Sequence, residues 1–317
     1  MVLFEIGMLA FSICLLAKSA DWVVDSAVKL SMIFRVNQIA IGFLLLSVLS
    51  TLPEMTVSVV SSSAGYDTIA SGNAIGSVVA NILLLVGLGM AVYGLAIKKK
   101  EAQEATYVIA VATLVSLYII ARNLTGGQAL GFWEGIALVG IFLAYAAYVI
   151  KNRKAPDSAR FAKKDGHPAI VFMIFLVSAA LLIISAHFTV DYSVQLAQLV
   201  GLDKSFIGGT IVAVGTSLPE FGILVQSFRK KHYSLSIGNI VGANLLDMTS
   251  VLGVAILIKP VSINFPGILV MSAFAVIAGL LLAFFLRANK KLARAGGALM
   301  LALYAVYLIL LYWLQLP

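Results

Sequence analysis

A carboxylate and a proline lie inside sequence too apolar to face water, and the chain does this twice. Ser47-Val-Leu-Ser50-Thr51-Leu-Pro53-Glu54 returns as Ala213-Val-Gly-Thr216-Ser217-Leu-Pro219-Glu220, at an offset of 166 residues. The same offset carries Asp25 onto Asp191, Ile41-Gly42 onto Ile207-Gly208, Gly72-Asn73 onto Gly238-Asn239, and Asn81 onto Asp247. A register held without insertion across two helices and their connecting loop is the mark of a duplicated unit. Any fold for this chain has to place two copies of it.

Composition fixes the solvent. With 61% hydrophobic and 11% charged residues and a mean hydropathy of +1.04, too few polar side chains remain to cover a water-facing surface, so the chain reads as an all-α polytopic membrane protein. Runs of about 20 apolar residues, enough to cross a hydrocarbon core about 30 Å thick, predict ten spans. They begin near residues 2, 38, 71, 105, 129, 168, 205, 234, 265 and 295. No basic region precedes the first run, Met1-Val-Leu-Phe-Glu5, which predicts a spanning helix and not a cleaved signal. The single cysteine, Cys14, offers no disulfide, thiolate cluster or redox pair and is expected as a small core residue.

Loop charge sets the expected orientation. All of the 22 lysines and arginines except Arg122, Lys204 and Lys259 fall on one set of alternate connections. The positive-inside rule places those connections in the cytoplasm and both termini outside, in a cell membrane. Residues 1–150 and 168–317 then form two five-span halves joined by a basic cytoplasmic linker, 151–167. Because five is odd, the second half enters from the opposite side, which makes the duplication an inverted-topology repeat of the kind that builds secondary transporters.

The second, third, seventh and eighth spans carry Glu54, Asn81, Glu220 and Asp247. A membrane-buried acid costs roughly 2.5 to 3.5 kcal/mol on insertion scales and persists with a partner or a function. No lysine or arginine lies in these spans near the acids, which leaves a proton or a bound cation as the compensating charge. Ser47, Ser50, Thr51 and Glu54 share one helix face, as do Ala213, Thr216, Ser217 and Glu220. Asn73, Ser77 and Asn81 follow on the third span, matched by Asn239, Ala243 and Asp247 on the eighth. Pro53 and Pro219 lack the N–H that would bond the Leu49 and Gly215 carbonyls, adding backbone oxygen. Gly72, Gly76, Gly238 and Gly242 have the spacing that lets helices approach closely, here the third span toward the second. Such hard oxygen donors suit Na⁺, Ca²⁺, Mg²⁺ or Mn²⁺. Fully ionised, three acids exceed the charge of one Ca²⁺ by one, which permits a proton or alternating monovalent cations.

Gly215-Thr-Ser-Leu-Pro-Glu220, Gly72-Asn-Ala-Ile-Gly-Ser77 ending in Asn81, and Gly238-Asn-Ile-Val-Gly-Ala243 ending in Asp247 resemble the α-repeats of prokaryotic-type sodium/calcium exchangers, in the cation/Ca²⁺ exchanger superfamily. The resemblance implies electrogenic exchange of several Na⁺ for one Ca²⁺, as transported ions and not cofactors, with spans one and six sliding across an eight-span core. It also implies Glu54 and Glu220 as central Ca²⁺ carboxylates, assisted by backbone oxygens of Ser50 and Thr216, with Asn81 and Asp247 completing the middle of the site. Ser77, Ser217, Thr51 and the carbonyls of Ser47 and Ala213 would serve flanking Na⁺ positions. Two departures stand out: Leu49 where the family usually has glycine, and Ala243 where a serine hydroxyl is usual.

The alternatives are an H⁺-coupled divalent-cation antiporter on the same fold, a passive cation channel, and an intramembrane hydrolase. The hydrolase needs paired aspartates or histidines, and His167, His187 and His232 all fall at helix ends or loops. The expected protein is therefore not an enzyme, has no nucleic-acid partner, and works as a monomer in the bilayer. Asp21, Asp25 and Asp191, near the ends of the first and sixth spans, are expected to cap helices or hydrate their ends, with a part in gating as the alternative.

Overall fold

The computed structural model describes residues 2–34, 41–65, 67–95, 97–152, 167–199, 213–263, 266–287 and 290–315. Helix α1 runs Val2–Ile33. Helix α2 covers 42–50, a π-helical turn Gly42–Leu46 followed by Ser47–Ser50, and α3 covers Leu52–Ser63. Helix α4 spans 67–93 with a π-helical segment Ala80–Val86 at its centre. Then come α5 (Lys99–Leu124), strand β1 (Ala129–Leu130), α6 (Phe132–Asn152) and α7 (Pro168–Leu199). The second half continues with α8 (Ala213–Thr216), α9 (Leu218–Arg229), and α10, which spans 233–258 around a π-helical segment Asp247–Val251. Strand β2 (Val261–Ser262), α11 (Pro266–Phe285) and α12 (Lys290–Gln315) close the chain.

Eight of these helices are long and apolar enough to cross a membrane without interruption. The expected second and seventh spans are the two that are broken, at Thr51 (φ −84°, ψ 1°) and Ser217 (φ −85°, ψ 8°). Each break falls two residues before its proline, so Pro53 and Pro219 sit in the first turn of the next helix, where a missing N–H is harmless. The predicted starts of these spans, near 38 and 205, and most of the linker lie outside the described residues. The fifth span begins at Phe132 and not at 129, because Ala129 and Leu130 pair antiparallel with Ser262 and Val261.

Helices α4 and α10 form the centre. Of their membrane windows 72% and 89% is buried, against 17% for α6, so their polar residues are enclosed by protein and not by lipid. A large apolar cluster joins α4, α5, α9, α10, α11 and α12. A second, smaller one joins α1 and α7, which lie along one another, and touches the rest through Ile41, Leu46, Ile223 and Leu235. Cys14 is on the outer face of α1, exposed, and not the core residue expected: the face of α1 turned toward α7 is elsewhere.

The loops sort by end. At one end the β1–β2 pair, Asn123 Nδ2 donating to the Ile263 carbonyl (2.6 Å), the Ser262 N–H donating to Asp67 Oδ2 (2.8 Å) and Lys259 Nζ donating to the Gly65 carbonyl (3.3 Å) tie three connections together. Burial works against ionisation of Asp67, but the Ser262 hydrogen bonds and the nearby Lys259 charge outweigh it and hold the carboxyl below its ordinary value. At the opposite end lie the basic turns at Lys98–Lys100 and Arg229–Lys231, where Ser234 Oγ donates to Glu101 Oε2 (2.5 Å). There Lys230 Nζ lies 2.7 Å from both Asp21 Oδ1 and Asp25 Oδ1, binding α1 to the α9–α10 turn. Asp21 and Asp25 are thus ion-pair partners and not caps, and Asp191 pairs with His187 within α7 (3.2 Å).

Candidate functional site

The two broken helices and the π-helical segments of α4 and α10 meet at the middle of the fold. Each break starts a new helix one turn before its acid, which puts Glu54 and Glu220 in first turns, where the positive end of the helix dipole favours a carboxylate. Asn81 stands at the second residue of one π-helical segment and Asp247 at the first of the other. Such single π-turns recur at functional sites because they shift a side chain out of the regular α-helical face.

Every predicted site residue whose side chain is described is buried. Glu54, Glu220, Asp247, Asn81, Ser77 and Ser217 are each 1% exposed, and Ser47, Ser50, Thr51 and Thr216 range from 0% to 7%. Ala213 opens α8. The halves interlock through these groups. Ser217 Oγ from the second half donates to Glu54 Oε1 in the first (3.3 Å). Ser50 Oγ donates to Asn239 Oδ1 (3.3 Å), and Asn81 Nδ2 to Asn244 Oδ1 (3.1 Å). Asn73 Nδ2 donates to the Glu54 carbonyl and to Ser58 Oγ, both at 3.0 Å, fixing α4 against α3. Thr51 turns its hydroxyl back onto the Ser47 carbonyl (2.6 Å), and Ser47 Oγ donates to the Phe43 carbonyl, so both hydroxyl protons are committed within α2 while oxygen lone pairs stay free.

What the protein leaves unsatisfied defines the chemistry. Glu54 Oε2, both oxygens of Glu220, both of Asp247, Asn81 Oδ1 and Ser77 Oγ are buried without a hydrogen-bond partner. Beside them the amide Nδ2 donors of Asn239 and Asn244 are also unpartnered; the oxygens can all accept, and the charges of Glu220 and Asp247 bear on Glu54, that of Glu220 on Asp247. A buried acceptor left unpaired costs about 1–3 kcal/mol, more when charged. A hard cation supplies what is missing at all of them. Among the described residues no three acids or histidines converge as a ready metal cage. The carboxylates stand within electrostatic reach of one another but no three of them converge, so neutral oxygens have to complete any coordination sphere.

The glycines divide differently from expectation. A Cβ on Gly72 or Gly76 would meet only Met271 Cε at 3.9 Å or Tyr307 Oη at 3.6 Å, on α11 and α12, so these two do not serve an approach of α4 to the second span. Gly242 does serve a close approach: a Cβ there would stand 2.6 Å from Ser47 Oγ and 2.8 Å from Phe43 Cδ2. Asn244 is a site neighbour that reading by repeat passes over, since the offset maps it onto Val78; an amide three residues before a buried aspartate was the available signal.

The sodium/calcium exchanger protein family model matches residues 4–151 and 170–313. The chain is 29% identical to an uncharacterized membrane protein of Methanocaldococcus jannaschii over 96% of this chain and 97% of that relative. It is 23% identical to the sodium/calcium exchanger MaX1 of Methanosarcina acetivorans, over 96% and 98%. In three dimensions it resembles the sodium-calcium exchanger NCX_Mj, in a structure soaked with Na⁺ and Sr²⁺, at a TM-score of 0.83 and 26% identity, covering 98% of this chain and 99% of that one. A match that runs through both copies of the duplicated unit, on a fold shared from end to end, makes this chain a member of the sodium/calcium exchanger family.

Proposed function

We propose that this Ca²⁺/cation antiporter exports Ca²⁺ from the cytoplasm in exchange for several Na⁺, by alternating access to a site at the meeting of α2/α3, α4, α8/α9 and α10. The carrying observation is the set of buried, partnerless oxygens around three acids contributed by both halves. Glu54 and Glu220 hold Ca²⁺ with backbone oxygens of Ser50 and Thr216, and Asn81 and Asp247 complete the centre. Ser77, Ser217, Thr51 and the carbonyls of Ser47 and Ala213 serve Na⁺.

Ten spans in two inverted five-span halves fit the eight unbroken helices plus the two broken ones. The 166-residue offset pairs the breaks at Thr51 and Ser217, and it pairs the positive-φ turn residues Gly65 (φ 90°) and Lys231 (φ 61°). Both termini then lie outside the cell membrane and the basic end faces the cytoplasm. The protein acts as a monomer and needs no cofactor.

One observation favours a second reading, H⁺ in place of Na⁺. Ala243, fully buried, stands where the other half offers the Ser77 hydroxyl, which removes a Na⁺ ligand, and acids without a lysine or arginine can be neutralised by protons. Proteoliposomes separate the two: Ca²⁺ uptake into Na⁺-loaded vesicles diluted into Na⁺-free buffer supports the first reading, and uptake into K⁺-loaded vesicles under a pH gradient alone replaces it with the second.

A further inference from the structure

Asn244 is a buried amide of the site that the duplication does not explain. It is 1% exposed, lies on α10 one turn before Asp247, and corresponds to Val78 in the other half. Asn81 Nδ2 donates to its Oδ1 at 3.1 Å across the boundary between the halves. The pseudo-symmetric counterpart of this Asn81–Asn244 pair is Asp247 with Val78, and that contrast carries the inference.

A carboxylate presents oxygen whichever way it turns, so Asp247 needs no holder and has valine at the matching place. An amide is two-faced, one end acceptor and the other donor. Turned half around, Asn81 would aim N–H groups at a cation. With its donor end on Asn244 Oδ1, the Asn81 oxygen is turned away from that contact and is buried without a protein partner, as is Asn244 Nδ2 on the other side of the pair. We propose that Asn244 is a positioning residue that acts through Asn81, holding the amide with its oxygen toward the transported cation. This rests on the reading of the site given above.

The test is Ca²⁺ uptake and equilibrium ⁴⁵Ca²⁺ binding by the full-length protein as wild type, Asn244→Val, Asn81→Asp and the double variant. Asn244→Val copies the residue of the other half; it raises the Ca²⁺ KM about fivefold, the scale of one hydrogen bond, with the maximal rate little changed. In the Asn81→Asp background orientation no longer matters, and the same substitution has less than about half that effect or reverses it. Asn244→Asp, which keeps an acceptor in place, shows no loss of Ca²⁺ affinity and guards against a folding defect in the valine variant. Equal penalties for Asn244→Val in both backgrounds, or equal losses for Asn244→Val and Asn244→Asp, overturn the proposal while leaving the site reading intact. A wild type that neither binds nor takes up Ca²⁺ overturns both.

Discussion

Replacing Glu54 by glutamine keeps the shape and the acceptor for Ser217 Oγ while removing one charge from the site. Two unit charges about 4 Å apart interact by about 4 kcal/mol at an effective dielectric constant of 20, so a divalent ion gains about 8 kcal/mol from one carboxylate. Part of that returns, because the variant no longer sets a third charge against Glu220 and Asp247. If half is recovered, about 4 kcal/mol remains, a loss of roughly a thousandfold in affinity. Ca²⁺ uptake by Na⁺-loaded proteoliposomes should therefore vanish at micromolar Ca²⁺. A second readout separates charge from packing: Ca²⁺ should raise the Tm of the wild type and leave that of Glu54→Gln little changed. Full uptake by Glu54→Gln refutes the placement of the ion. An equal Ca²⁺-induced rise in Tm in both proteins, with uptake lost, refutes the electrostatic account and leaves only a packing role.

Three further outcomes are expected. Ser217→Ala removes the donor to Glu54, and a hydrogen bond to a charged group is worth about 1.5 kcal/mol at the low end, so Ca²⁺ binding should weaken about tenfold; titration calorimetry reads this. Gly242→Ala drives a methyl into Ser47 and Phe43, and overpacking of this kind costs about 1–3 kcal/mol, so both Tm and Ca²⁺ affinity should fall, whereas Gly76→Ala, whose methyl meets Tyr307 Oη at an ordinary contact distance of 3.6 Å, should leave both unchanged. Asp67→Asn should lower Tm at neutral pH and remove the share of that end's acid sensitivity that Asp67 carries, leaving the share of Glu134. The wild-type carboxyl is held below its ordinary value, so its contribution is present above about pH 4 and is lost as pH falls through the folded-state value.

Much of the site was legible before any coordinates, because the apolar background leaves few polar residues to choose from and the 166-residue offset selects among them. Glu54, Glu220, Asn81 and Asp247 stood out as the residues that membrane burial penalises, and the structure buries them all. The limits come from the same source. Comparing halves finds what is shared, so it hid Asn244 behind Val78 and Lys230 behind Ala64, residues whose roles depend on the halves being unlike. Glycine spacing marks small residues without saying which neighbour they admit; Gly242 meets Ser47, but Gly76 meets Tyr307. Proline located both breaks to within two residues, yet the π-helical turns at Asn81 and Asp247 have no sequence signature, since they add one residue to a turn without changing the apolar pattern.

The ion pairs of Lys230 with Asp21 and Asp25 have a consequence for the two half-cycles. Parting α1 from the α9–α10 turn must separate two contacts of 2.7 Å, whereas the matching turn of the other half offers Ala64, and α7 hardly touches α3 among the described residues. Lys230 and Asp21 are each 26% exposed and Asp25 53%, within reach of dissolved salt, whose screening length is about 10 Å at 0.1 M. On the alternating access proposed above, salt in the one compartment that bathes this end weakens a contact that one half-cycle has to break and the other lacks: the duplicated halves are alike in chemistry but unequal in what they must part.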